Sequence, residues 1–271
     1  MPGEDKEPRV KYHFIQRHQI KTMIPGVQIS NEIVDAWAAH LNHLAPRERT
    51  KYPNIYFSSI ISAQMPNNIN KILLEKCFED AIYRIGYELQ CQNISNSQFD
   101  NAKQLFVPVL ANEHYYLYVF NMLDGRVEVL DNMDTAIKHN IPFVAKYRET
   151  YNFLVEALAR YADSQRAITA YDRLRKLKEP NIIHLPWSNS EYKTDRAVCM
   201  MCHMKTYKAG VDSYNCGIPP IGKTTRQKDA HQNKLDKLRI KYLTELLTSG
   251  INTKSMTITE GIKELHTARN P

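Results

Sequence analysis

Glycine is scarce in this chain, at nine in 271 residues, and no stretch is of low complexity. That excludes collagen-like and glycine-rich architectures, and no internal repeat points to a solenoid. No window approaches the roughly 18 apolar residues of a spanning helix. The opening stretch, MPGEDKEPRVKYHFIQRHQ, is charged and has no apolar core of a secretory signal. Cysteine is sparse and odd in number, at five, which fits free thiols in a reducing compartment rather than a disulfide scaffold. Charge is nearly balanced: 36 Lys and Arg against 29 Asp and Glu leave +7. The excess favours acidic partners. The cations are scattered, however, and no run is dense enough for a nucleic-acid arm.

What is present is an ordinary globular composition, 43% hydrophobic and 24% charged. A polar segment over 1–26 precedes a helix over 27–44, with Ser30 or Asn31 as cap and Ile33, Val34, Trp37, Leu41 and Leu44 at helical spacing. Residues 53–61 read as a short strand or the approach to one. Residues 68–89 carry a second helical pattern, interrupted near Gly86. Over 103–134 lie three apolar runs, LFVPVL, HYYLYVFNM and RVEVLD, the last two joined by the turn signal LDG. A helix over 144–165 puts Tyr147, Tyr151, Leu154, Leu158 and Tyr161 on one stripe. A strand over 181–187, a helix over 195–207 capped by Asp195, a loop over 214–222 and a helix over 233–250 follow. This order is α+β in one domain, 27–250, with a tail over 251–271.

His114 starts the second strand of the cluster and Asp131 ends the third. At facing ends of a hairpin the two can meet, the Asp fixing the imidazole tautomer and stabilising its charged form, as in a triad. The string CMMCH, 199–203, has several readings. Inside a helix, Cys199 and Cys202 suit core packing. Cys199 is also an alternative nucleophile, one turn from position 196. A zinc site from Cys199, Cys202, Cys216 and His231 would need loose spacings. C-x-x-C-H is the haem-attachment pattern, but a chain without an export signal speaks against it.

The whole pattern is more specific. LFVPVLANEHYYLYVFNMLDGRVEVLDNMD, followed by TDRAVCMMCHM, resembles the ubiquitin-like-protein-specific (SUMO) cysteine proteases, most closely their plant, transposon-associated branch. The likeness spans 27–250, with NEIVDAWAAHL similar to the family's early helix and KLRIKYLTELL to its closing one. It implies a cysteine-protease-like domain, a central mixed sheet flanked by helices with the nucleophile-position helix packed on it. In this resemblance His114 matches the general base and Asp131 the residue that orients it. Tyr115 stands where a Trp walls the tunnel for the substrate's Gly-Gly tail. Asp195 and Val198 match the family's D-C-G-V, but Arg196 occupies the nucleophile position and Ala197 that of the Gly. The oxyanion Gln falls near Ser190.

Arg196 is cationic at any ordinary pH and cannot attack a carbonyl. Beside His114 it would also disfavour an imidazolium, and an ion pair with Asp131 would draw that residue from His114. Loss of a triad nucleophile removes on the order of a million-fold of catalysis in the best-studied case. The expected function is therefore a cysteine-type peptidase domain of the SUMO processing and deconjugation class, catalytically impaired. The alternatives are an active peptidase with Cys199 as relocated nucleophile, or a nucleic-acid- or partner-binding protein of a mobile element, for which no recognition motif is present. The expected partner is SUMO or another ubiquitin-like protein, which Arg196 would hold by a free C-terminal carboxylate. The expectations are completed by no cofactor or metal, no membrane contact, a monomer, and the nucleus or cytoplasm.

Overall fold

The computed structural model describes residues 15–45, 51–62, 71–111, 114–133, 141–188, 193–208 and 214–269. A short turn of helix, α1 (Arg17–Ile20), leads into α2 (Asn31–Leu44). The order continues as β1 (Asn54–Tyr56), α3 (Lys71–Cys91), α4 (Asn96–Asp100), β2 (Gln104–Ala111), β3 (His114–Asn121), β4 (Arg126–Leu130), α5 (Ile141–Ser164), α6 (Ile168–Arg175) and β5 (Asn181–Ile182). The helices α7 (Arg196–Thr206), α8 (Thr225–Leu247) and α9 (Ser255–Arg269) follow. The five strands form one sheet in chain order, antiparallel in the middle and parallel at both edges. This is the expected mixed sheet flanked by helices.

The sheet is buried on both faces, which is why β3 is apolar or aromatic at nearly every position rather than alternating with polar residues. Alternation sorts its side chains between two cores. Tyr115, Leu117 and Val119 face a layer built from Trp37 of α2, Val198 and Met201 of α7, and Leu235 and Tyr242 of α8. Tyr116, Tyr118 and Phe120 face Phe78 and Ile85 of α3 and Leu154 and Leu158 of α5. Trp37, fully buried, donates its indole N–H to the Met201 carbonyl at 3.0 Å and so ties α2 to α7. The β3–β4 turn forms where LDG predicts it, with Gly125 at φ +63.

Several elements differ from the sequence expectation. α3 runs unbroken through Gly86, because a Cβ there would sit 3.2 Å from Tyr161 of α5. The glycine marks a close helix–helix approach, not an end. α8 starts at Thr225 rather than Asn233, since Thr224 and Gln227 form a reciprocal capping box. The same device at Ser95 and Gln98 starts α4, which the sequence reading left out together with α6 and α9. β5 is two residues long, not seven. Met23 and Gln19 are buried, so the segment before α2 packs onto the domain.

Candidate functional site

The register pairs Leu117 with Leu130, so His114 and Asp131 fall diagonally across the β3–β4 pair at its open end. His114 Nε2 lies 2.6 Å from Asp131 Oδ1, and both residues are buried. The carboxylate is held by further donors. Oδ1 accepts the Met133 backbone N–H at 2.8 Å and Oδ2 accepts the Tyr147 hydroxyl of α5. Burial first, and then Asp131, push the Tyr147 hydroxyl far up, so it stays a donor. Behind it, Tyr118 donates to the Tyr147 carbonyl at 2.6 Å and Tyr116 bonds Thr150 at 3.2 Å. The paired Nε2 carries the proton towards Asp131. The other ring nitrogen, Nδ1, is buried and has no hydrogen-bond partner among the described residues, which leaves its lone pair available. Such a ring is set to act as a base. Tyr147 was legible only as part of a helical stripe; its bond to Asp131 is tertiary.

Helix α7 packs on the Leu117 face of the sheet. Its Cys199 thiol faces Asn132, after the end of β4, and its last turn leads to Tyr207, whose hydroxyl faces Glu128 within β4. The helix therefore runs antiparallel to β4 and begins at the end of the sheet where His114 and Asp131 lie. Arg196 is its first residue. The residue is 8% exposed and its Nε is buried with no partner among the described residues. Among the described residues there is no ion pair between Arg196 and Asp131, whose oxygens are taken by His114, Met133 and Tyr147.

Asp195 occupies the N-cap position of α7 but makes no side-chain cap bond. Its carboxylate instead meets Arg239 of α8, Nε at 2.9 Å and Nη2 at 2.8 Å. Arg239 is fully buried and also donates to the Thr22, Ile24 and Thr194 carbonyls at 3.0, 3.1 and 2.8 Å. This one guanidinium joins the segment before α2, the start of α7 and the middle of α8. An Arg on an amphipathic helix reads as solvated in the sequence, so nothing marked it.

The CMMCH string lies in the core: Cys199, Cys202 and His203 are 3, 1 and 1% exposed. Burial pushes the Cys199 thiol well up, so it holds its proton. His203 Nε2 accepts the Trp187 indole N–H at 3.3 Å, and burial pushes this imidazole down to about 3. His231 Nδ1 lies 2.7 Å from the Pro219 carbonyl, to which it donates. Among the described residues no group of three or more His, Cys, Asp or Glu is placed to hold a metal ion. Cys199, Cys202, Cys216 and His231 therefore do not assemble as a zinc site. Tyr115 is buried and donates its hydroxyl to Asn31 Oδ1 of α2. Ser190 lies outside the described residues.

No family model and no curated protein matches the sequence. Solved structures do match the fold. A de-sumoylating protease superposes with a TM-score of 0.53 at 12% identity, covering 92% of both chains. The SUMO protease Ulp1 with its catalytic cysteine oxidised to a sulfonic acid gives 0.51 at 13%, covering 86% of this chain and 85% of its own. The Ulp1 protease domain in complex with Smt3, the yeast ortholog of SUMO, gives 0.50 at 14%, covering 85% and 83%. At these identities the likeness is one of architecture, and this chain has the fold of the Ulp1-type SUMO protease domain.

Proposed function

We propose that this chain binds SUMO or another ubiquitin-like protein by its C-terminal tail and does not cleave it. The observation that carries this reading is Arg196 as the first residue of α7, at the end of the sheet that holds the His114–Asp131 pair. A cysteine protease of this kind needs a thiolate there, stabilised by the helix N-terminus and an adjacent imidazolium. A guanidinium has no nucleophilic lone pair and does not lose its proton. What it offers is a charge-assisted, forked contact to a carboxylate. A processed modifier carries a free carboxylate on its Gly-Gly end; in an unprocessed or conjugated one that carbonyl is an amide. The Ulp1 domain of the same fold is solved in complex with Smt3, which supports a modifier as partner. On the pattern of residues 105–134 and 194–204 we place the chain with plant, transposon-associated relatives, and with that family's habits in the nucleus or cytoplasm.

Relocation of the nucleophile to Cys199 finds no support, because that thiol is buried and protonated. The deciding experiment offers SUMO and ubiquitin bearing a C-terminal thiol-trapping group to the natural protein and to Arg196→Cys. The reading expects binding without an adduct on the natural protein, and an adduct mapped to position 196 on the variant. An adduct on Cys199 of the natural protein would mean a working peptidase. Absence of binding by either modifier would remove the reading.

A further inference from the structure

Two cysteines that the His114 site does not use lie side by side. Cys202 sits at the end of the second turn of α7, 1% exposed. Cys216 belongs to the loop between α7 and α8 and is half-buried. The Cys202 sulfur is 3.9 Å from the Cys216 carbonyl oxygen, which sets the two side chains beside each other. The surroundings are polar for a core position: Cys202 Sγ also approaches the Thr206 hydroxyl at 4.0 Å and the Tyr242 hydroxyl. Thr206 in turn bonds the Tyr214 hydroxyl at 2.6 Å, which pins the start of the loop. The backbone after Cys216 is a turn, with Gly217 at φ +75 and its N–H on Asn215 Oδ1 at 2.8 Å. The other half-buried cysteines, Cys77 and Cys91, lie on α3, far along the chain from this pair.

We propose that Cys202 and Cys216 are an oxidative modification site, closing to a disulfide that fastens the 214–222 loop to α7 when a peroxide is the oxidant. The contact with Cys216, more than any other, pushes the Cys202 thiol down to about 6, while Cys216 is pushed up and keeps its proton. The pair thus shares one proton at neutral pH, with the thiolate on the inner sulfur and the accessible sulfur as its donor. The Cys202 thiolate attacks hydrogen peroxide as the loop opens: the O–O bond breaks, the Cys202 sulfur gains OH, and the departing hydroxide takes the Cys216 proton and leaves as water. The Cys216 thiolate so formed attacks the Cys202 sulfur, the S–O bond breaks, and the second hydroxide takes up a proton from solvent. In sum, two thiols and one peroxide give one disulfide and two waters. The sulfurs must close to about 2.05 Å, and the glycine turn beside Cys216 is the element that gives.

The experiment treats the folded full chain with hydrogen peroxide, blocks remaining thiols, and maps cross-linked peptides by mass, with a dithiothreitol arm as reversal. The inference expects a Cys202–Cys216 peptide short of two hydrogens, restored by reductant, and a raised melting temperature in the oxidised arm. Cys216→Ser should abolish the cross-link and leave a mixed or over-oxidised Cys202, whereas Cys91→Ser should change nothing. Since Cys216 is half-buried, its serine variant is checked to melt cooperatively; an alkylation-rate comparison on the natural protein, with Cys202 blocked only after the loop is loosened by urea, serves if it does not. Oxidation to sulfinic acid on single cysteines without a cross-link, or a cross-link through Cys199, would overturn the inference.

Discussion

Arg239→Met should unlatch the start of α7. The guanidinium is 0% exposed, and its partner Asp195 is 1% exposed. It makes two contacts to Asp195 Oδ1, at 2.9 and 2.8 Å, and three to backbone carbonyls. Methionine fills much of the same volume but donates nothing. Among the described residues Asp195 would keep only Gln232 at 3.3 Å and Thr194 at 3.4 Å. Removing one member of a buried pair costs about 3–5 kcal/mol, since the other charge is left without compensation. Three carbonyls lose a donor as well, at about 1 kcal/mol or more for each that water cannot reach. The loss is therefore at least about 4 kcal/mol, a large part of the roughly 5–15 kcal/mol that holds a domain folded. At about 2–4 °C per kcal/mol for a chain near this size, the melting temperature falls by on the order of 10 °C. Urea unfolding followed by circular dichroism at pH 7 reads it as a lower midpoint at unchanged slope. Adding Asp195→Asn should recover part of the loss by removing the stranded charge. A loss under about 1 kcal/mol, or no recovery in the double variant, would refute the reasoning.

The pH dependence has a defined shape. Burial, with Asp35 adding to it, pushes Glu88 from 4.5 up to about 8, so the folded chain binds that proton more tightly than the unfolded one. Stability from this group is full below pH 4.5 and lost as pH rises to 8. His203 acts oppositely: pushed from 6.5 down to about 3, it makes the unfolded chain the better proton acceptor, and stability falls as pH drops from 6.5 to 3. The two slopes oppose each other between 4.5 and 6.5. From 6.5 to 8 the Glu88 slope, about 2 kcal/mol, meets an opposite one from Cys202, pushed from 9 down to about 6, so the profile there is nearly flat and Glu88→Gln should turn it into a rise with pH; an unchanged profile in that variant would sink the assignment. Tyr147→Phe removes the donor to Asp131 Oδ2 and should cost about 1–3 kcal/mol; a neutral effect in urea unfolding would mean that Oδ2 finds another donor. Gly125→Ala should cost about 1–2 kcal/mol from backbone strain alone, because φ is +63 and the nearest atom to a new Cβ is 3.9 Å away. An unchanged melting midpoint there would contradict the turn geometry.

The sheet was legible because its strands are local: three apolar runs and one turn signal within 103–134 fold onto each other without distant help. The meeting of His114 and Asp131 follows from the same hairpin, seventeen residues apart along the chain. What pattern could not show is contact between distant elements. Arg239 looks like any surface cation in KLRIKYL, and only the packing of α8 against the start of α7 turns it inward. Asp195 has the right place and type for a cap, and that partner outcompetes the helix N–H groups for its carboxylate. Gly86 reads as a breaker until α5 is laid against it. The early start of α8 was visible in principle, since Thr224 and Gln227 carry the spacing of a capping box. It was hidden because the first turns of that helix lack an apolar stripe: exposed Thr225, Arg226 and Lys228 give periodicity nothing to grip.

The most direct test of Arg196 as a carboxylate reader is the affinity of the natural protein for mature SUMO against SUMO extended beyond its Gly-Gly end, measured by calorimetry with cleavage followed by mass. Tighter binding of the mature form, no cleavage of the extended one, and loss of the difference in Arg196→Gln are the predicted results. Equal affinity for the two forms, or cleavage of the extended one, would contradict the account.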